Sequence, residues 1–139
     1  MVRCSSTTVA VQVRSCEAEP VSFPWAEVTF DRLSGSLPWR TFRWYYGQKH
    51  YSGEYWSATV GDGIVYESLL ELSQLRIADY DRAVSDIAAQ PFSMRTVINK
   101  RLYRHVPDFL LLKDSRPTVV DVKPRKKLSN PKVAFTLEW

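Results

Sequence analysis

Pro107-Asp108-Phe109-Leu110-Leu111-Leu112-Lys113-Asp114-Ser115-Arg116-Pro117-Thr118-Val119-Val120-Asp121-Val122-Lys123 is the stretch whose reading decides the fold. Phe109 to Leu112 is an unbroken apolar run. Thr118 to Lys123 is rich in β-branched residues and alternates strictly, Val120 and Val122 opposing Asp121 and Lys123. Both patterns favour strand over helix. The connector Lys113-Asp114-Ser115-Arg116-Pro117 has the length and composition of a hairpin loop. Pairing symmetric about Ser115 would set Leu112 against Thr118, Leu110 against Val120 and Asp108 beside Val122. Asp121 and Lys123 then share one face of their strand. Two carboxylates and an ammonium are expected to converge at one end of the hairpin.

Charges at strand ends are most often solvated, and an exposed Asp–Lys pair is worth only about 0–1 kcal/mol. Lys123, however, follows Asp121 at the end of a Val-rich strand that reads as half-buried. Carboxylates crowded in such a place repel unless a cation joins them. A divalent, oxygen-seeking metal would relieve that cost.

The rest of the chain supplies partners for this hairpin. After Gly61-Asp62-Gly63, the apolar positions Tyr66, Leu69, Leu70, Leu72, Leu75, Ile77 and Ala78 predict a helix from about Ile64 to Tyr80, packed on a sheet. Glu67 and Glu71 are four residues apart and would share one of its faces. Ile87 to Ile98 reads as extended and interrupted by Pro91, with Asn99-Lys100 as a tight turn and Leu102 to Leu112 returning. Counting back from that turn brings Gln90 and Pro91 level with Asp108, which makes Gln90 an orienting side chain. Asn130-Pro131 marks the start of a further helix. Trp39 to Tyr46 and His50 to Ala58, rich in aromatics interleaved with cations, suggest a hairpin that packs a small sheet. Residues 1–35 read as a weakly structured leader with one strand at Thr8 to Val13. His105 reads as a flanking strand position pointing away from the carboxylates.

Charge is unevenly spread. Residues 95–132 hold eleven Lys and Arg against three Asp, a segment charge of +8, which leaves −4 elsewhere in a chain of net charge +4. A solvated basic face is the commoner meaning. A basic stripe around a carboxylate cluster, however, is what a surface that holds and cleaves a polyanion requires. Arg104 belongs to that stripe, and Arg125-Lys126-Lys127, just after Lys123, is the expected phosphate clamp. At 139 residues and 45% hydrophobic the chain can bury one sizeable core. Its apolar runs are too short for a membrane span, and Met1 to Thr8 lacks a secretory h-region. Cys4 and Cys16, without a CxxC or a His neighbour, read as free thiols. A cytoplasmic, nucleoid-associated protein with no membrane partner is expected.

Pro107-Asp108, twelve intervening residues, then Asp121-Val122-Lys123 resembles the PD-(D/E)XK nuclease signature. Trp39-Arg40-Thr41-Phe42-Arg43-Trp44-Tyr45, Tyr66-Glu67-Ser68, Ala89-Gln90-Pro91-Phe92, Arg104-His105-Val106-Pro107-Asp108 and Val133-Ala134-Phe135 together resemble the TnsA-like endonuclease subunits of heteromeric transposases, over about residues 36–139. The resemblance implies an α/β (α+β) fold with a restriction-endonuclease-like core, a mixed sheet flanked by helices, preceded here by an aromatic-rich β extension. That core normally continues with another strand and helix. The chain is therefore expected to be truncated at Trp139, leaving Leu110 and Leu112 short of helical cover.

The resemblance further implies that Glu67, Asp108 and Asp121, with the Val122 carbonyl, hold Mg²⁺ or Mn²⁺, that Lys123 completes the catalytic set, and that Gln90 and Glu71 support it. It implies cleavage of one strand, at the 5′ ends of a transposon, on double-stranded DNA, alongside a DDE-type transposase subunit and an ATPase regulator. Two other classes fit the same residues: a catalytically impaired DNA-binding or transposase-interaction module, and a stand-alone PD-(D/E)XK nuclease of restriction or Holliday-junction type.

Overall fold

A computed structural model describes residues 9–15, 19–33, 35–39 and 51–138. In chain order the elements are β1 (Ala10–Val13), β2 (Val21–Pro24), a 3-10 turn (Trp25–Glu27), α1 (Phe30–Leu33), β3 (Gly53–Ser57), β4 (Asp62–Tyr66), α2 (Leu69–Tyr80), β5 (Val84–Ala89), β6 (Ser93–Ile98), β7 (Arg101–His105), β8 (Phe109–Lys113), β9 (Arg116–Val120), α3 (Arg125–Leu128) and α4 (Pro131–Glu138). The architecture is mixed α and β, with strands in the orders β2-β1-β6-β7, β3-β4 and β5-β8-β9. Every pairing among the described residues is antiparallel, where the sequence led us to expect a mixed sheet. For β1–β2, β3–β4, β6–β7 and β8–β9 the short connection dictates it, since a parallel pair needs a long crossover. Among the described residues no helix is long and apolar enough to cross a membrane.

The hairpin at β8 and β9 forms, one residue out of the expected register. Asp114 and Ser115 both take positive φ, 48° and 61°, as a two-residue type I′ turn requires. Lys113 therefore faces Arg116, Leu110 faces Val119, and Phe109 faces Val120. The regular strand stops at Val120, so Asp121 and Lys123 lie just beyond it.

β8 is apolar from Phe109 to Leu112, and at its start both faces are covered. Phe109 packs with Ile64, Leu75, Ala78, Val84, Ile87 and Ala89. Leu110 points the other way, into a second core with Val11, Val13, Leu33 and Phe92. Leu110 was expected to be left short of cover, yet it is only 1% exposed, because β1 and α1 supply the packing. The same packing corrects the reading of residues 1–35 as a leader. β1 sits between β2 and β6, and Val11 is fully buried.

Two further expectations shift. Ile64, Val65 and Tyr66 are not helical: they pair with Tyr55, Glu54 and Gly53, as β-branched and aromatic residues favour. The helix starts only at Leu69, capped by Ser68, whose Oγ accepts the Glu71 N–H at 3.2 Å. The expected hairpin of Trp39 to Tyr46 with His50 to Ala58 lies for the most part outside the described residues. β3 pairs forward with β4, and residues 40–50 lie outside the described set, as do Cys4 and Cys16. The stretch Ile87 to Ile98 is two strands in two different sheets, broken at Gln90-Pro91. Asn99 and Lys100 form the expected tight turn, both with positive φ.

The β3–β4 hairpin is fastened to α2 through Asp79. Its carboxylate accepts from Ser57 Oγ (2.6 Å), Tyr55 Oη (2.8 Å), Thr59 N (2.9 Å) and Ala58 N (3.1 Å). Burial alone would push this carboxyl up, but the donors from Ser57, Thr59 and Tyr55 outweigh it and hold it well below the usual carboxylate range. The folded pKa lies below the unfolded one, so the stability from Asp79 is present above the unfolded pKa and lost as pH falls through the folded one. Asp79→Ala is expected to cost about 1–2 kcal/mol at pH 7, the modest end for a charged hydrogen bond because the group is only half-buried. The gap to the unsubstituted chain should narrow below about pH 4. Urea unfolding at pH 7 and pH 3.5 checks both; a gap that widens on acidification contradicts the assignment.

Candidate functional site

Antiparallel pairing brings the end of β5, the start of β8 and the end of β9 to the same edge of their sheet, since Ala89 faces Phe109 and Phe109 faces Val120. The residues just beyond those positions, Gln90, Asp108 and Asp121 to Lys123, therefore meet. Asp108 Oδ2 accepts the Val122 N–H at 2.6 Å and the Lys123 ammonium at 3.1 Å. Lys123 Nζ also donates to the Val122 carbonyl at 3.3 Å and lies 3.9 Å from Asp121 Oδ1. One positive charge thus stands among Asp108, Asp121 and the Val122 carbonyl.

Glu67 reaches this edge from the β4–α2 link. Its Oε1 accepts Gln90 Nε2–H at 2.9 Å, and the Gln90 N–H donates to the Asp108 carbonyl at 2.9 Å. Gln90 is 5% exposed and holds φ at 45°, uncommon for a residue with a side chain. Gln90 thereby ties Glu67 to the Asp108 backbone, level with Asp108 as the sequence suggested. That alignment comes through β5 and β8, not through the β6–β7 turn from which it was counted.

Glu71 supports the same corner differently from a shared helix face. Glu67 precedes the helix cap, and Glu71 Oε2 accepts the Glu67 backbone N–H at 2.7 Å while Oε1 accepts from Ser68 Oγ at 3.0 Å. Burial pushes the Glu71 carboxyl up, with the Glu67 N–H bond pulling the other way.

His105 is the residue that sequence reasoning misplaced. Its Nε2 lies 2.9 Å from Asp121 Oδ2, with the carboxylate as acceptor. The chain passes from β7 to β8 across Val106-Pro107. The chain changes sheets there, so the phase does not carry over. Asp121 Oδ1 is buried without a hydrogen-bond partner among the described residues.

Glu67, Glu71, His105, Asp108 and Lys123 line one cleft of about 340 Å³, closed on one side by Lys132, Val133, Thr136 and Leu137 of α4. Phe135 fixes α4 there by packing on Tyr103 with ring centroids 4.9 Å apart. Asn130 Oδ1 accepts the Lys132 N–H at 2.9 Å at the helix start. Asn130-Pro131 was the available signal for a helix here, but nothing in it indicated which site the helix would cover. Arg125, Lys126 and Lys127 form the short exposed α3 directly after Lys123, and Arg104 lies on β7 outside the cleft.

No protein-family model matches the chain, and no curated protein matches it.

Among the described residues no group of three or more His, Cys, Asp or Glu is gathered closely enough to hold a metal ion. The chemistry of the set nevertheless suits a hard divalent cation. Asp108, Asp121 and the Val122 carbonyl are oxygen donors already sharing one positive charge, and the partnerless Asp121 Oδ1 is an acceptor for another.

The Glu71 contacts generate a test. Its folded pKa lies above the unfolded one, so its stabilising contribution is present below the unfolded pKa and lost as pH rises through the folded one. Glu71→Gln keeps an acceptor for the Glu67 N–H and sheds a buried charge, so its stability relative to the unsubstituted chain should be higher at pH 7 than at pH 4. Glu71→Ala leaves that N–H without its partner and weakens the cap, at about 1–2 kcal/mol. Urea unfolding of both variants at the two pH values measures this; Glu71→Ala as stable as Glu71→Gln would contradict it.

Proposed function

We propose that the chain is a divalent-metal-dependent DNA endonuclease of the PD-(D/E)XK type, on a restriction-endonuclease-like core, acting as the strand-cutting subunit of a heteromeric transposase. The observation that carries this reading is the gathering of Glu67, Asp108 and Lys123 at one cleft from three separate links of the chain, with Asp121 just behind it, 3.9 Å from the Lys123 ammonium. The acidic residues are flanked by the most basic part of the sequence. The cut at transposon 5′ ends, the DDE-type transposase and the ATPase regulator rest on the resemblance alone.

Glu67, Asp108, Asp121 and the Val122 carbonyl would hold Mg²⁺ or Mn²⁺, which supplies a water of lowered pKa and neutralises charge developing on the phosphate. Gln90 orients Glu67 by its amide, and His105 orients Asp121. The Val122 N–H fixes Asp108. Lys123, on a flexible stem, gives its positive charge to Asp108 in the absence of substrate and to a phosphate oxygen or the attacking water in its presence. α4 narrows the cleft and keeps bulk water from one side of it. Arg104 and the Arg125-Lys126-Lys127 run supply cations for the nucleic-acid backbone.

A second reading, a DNA-binding module without turnover, is favoured by the close Lys123–Asp108 pair and by the lack of a compact three-carboxylate group among the described residues. The two readings separate on metal. With Mg²⁺ present the nuclease reading expects nicking of supercoiled plasmid, abolished by EDTA, and a Mg²⁺-dependent rise in Tm. Asp108→Asn, Asp121→Asn and Lys123→Ala should each lower nicking at least about 100-fold. The two Asp variants should bind DNA as well as or better than the unsubstituted chain, because a negative charge near phosphate is gone. Nicking at equal rates in all three variants, or no Mg²⁺ effect on either Tm or nicking, defeats the nuclease reading.

A further inference from the structure

On the other side of His105 from the cleft lies a cluster of guanidinium groups. Arg95 and Arg104 are directly opposite each other on β6 and β7, so their side chains share a face. Arg104 Nε donates to Ser93 Oγ at 2.9 Å, and its guanidinium carbon lies 5.3 Å from the centroid of the Trp39 ring. Arg14 approaches the same ring at 5.9 Å and donates to the Pro38 carbonyl at 2.8 Å. Among the described residues none of the three arginines pairs with a carboxylate, and Arg95 Nε is buried with no acceptor. Like charges directly opposite on paired strands are destabilising. An anion placed among them would remove that cost, and Trp39 offsets only part of it through cation–π attraction.

The place for such an anion is present. Trp39, Arg104, His105 and Val106 line an open pocket of about 420 Å³. It lies at β7, the outer strand of its sheet among the described residues. His105 and Val106 line this pocket and the carboxylate cleft alike, so the two are neighbours sharing a wall. Arg104 is held from below by Ser93 and from the side by Trp39, which pre-sets a planar donor that matches a phosphate.

We propose that Arg104, backed by Trp39 and Arg95, is a subsite for a phosphodiester flanking the one in the carboxylate cleft, gripping the same nucleic-acid strand. This rests on the DNA reading above but not on turnover. The adjacency to the cleft and the +8 charge of residues 95–132 favour DNA over an acidic peptide as the anion.

The test uses the full chain, a labelled DNA duplex and Ca²⁺ in place of Mg²⁺, with binding read by fluorescence anisotropy over a salt series. Arg104→Ala should weaken binding on the order of tenfold and lower the slope of log K against log salt by about 1. Arg104→Lys should restore the slope and only part of the affinity, because the charge returns without the fork. Arg82→Ala, an exposed arginine lining neither pocket, should change neither quantity by more than that one residue's general charge. Single uncharged methylphosphonate linkages scanned along the duplex should include one position that weakens the unsubstituted chain as much as Arg104→Ala does and has no added effect in Arg104→Ala. An unchanged affinity and slope in Arg104→Ala overturns the proposal, as does a methylphosphonate profile without that position. Loss of polyglutamate binding in Arg104→Ala with DNA binding unaltered also overturns it, in favour of a protein partner. Arg104-dependent binding by a chain that never nicks would sink the nuclease reading and leave the subsite standing.

Discussion

The structure depends on β8 being buried on both faces. Phe109 and Leu110 are adjacent in sequence and point into different cores, each at most 2% exposed. A strand so placed cannot slip by one residue without exchanging the two sets of contacts, which fixes the register of β5 and β9 on either side. Asp108 immediately precedes this strand, so apolar packing on both sides sets its backbone, while the Val122 N–H and the Lys123 ammonium hold its carboxylate. Rigid elements place functional groups more accurately than free loops do.

Charge then arranges itself on that fixed frame. Lys123 follows Asp121 closely enough for one ammonium to serve Asp108 and Asp121 together. Glu67 is held at a remove by the Gln90 amide, a neutral donor, which separates it from the other two carboxylates. His105 takes one oxygen of Asp121 and leaves the other without a hydrogen bond among the described residues, 3.9 Å from the Lys123 ammonium. Breaking a semi-buried set of this kind by removing one member leaves the others uncompensated, so its members depend on one another. Outside the cleft the same logic appears in Asp79, where four donors surround one carboxylate and bind a hairpin to a helix.

What the sequence made legible was local and short-ranged. The β8–β9 hairpin, the Asn99-Lys100 turn and the Asn130-Pro131 helix start each depend on a few adjacent residues with fixed backbone preferences. The one-residue error in register came from treating Asp114-Ser115 as part of a longer loop, although both residues tolerate the positive φ that a two-residue turn demands. The helix was drawn too long at its start because Ile64 and Tyr66 satisfy a helical stripe as well as a strand; only Ser68 as a cap separates the two. The role of β1 was illegible for a different reason. Three of its residues pair with a strand more than eighty positions away, and nothing in their composition marks that distance. His105 was misjudged because alternation is a property of one strand and fails across a change of sheet.

The carboxylate cleft and the arginine pocket meet at His105 and Val106. His105 contacts Asp121 in one pocket while its own strand carries Arg104 into the other. Strand β7 is held on its inner side by β6 and on one face by Phe135 of α4, the helix that closes the cleft. A polyanion drawn to Arg104 would therefore press on the element that orients Asp121, and a cation drawn to Asp121 would press on the element that carries Arg104. Coupling of this kind is reciprocal in free energy whichever ligand arrives first. The physical basis is a single short strand whose alternate side chains face opposite sides of the sheet, which is all that period-two geometry requires to serve two neighbouring pockets.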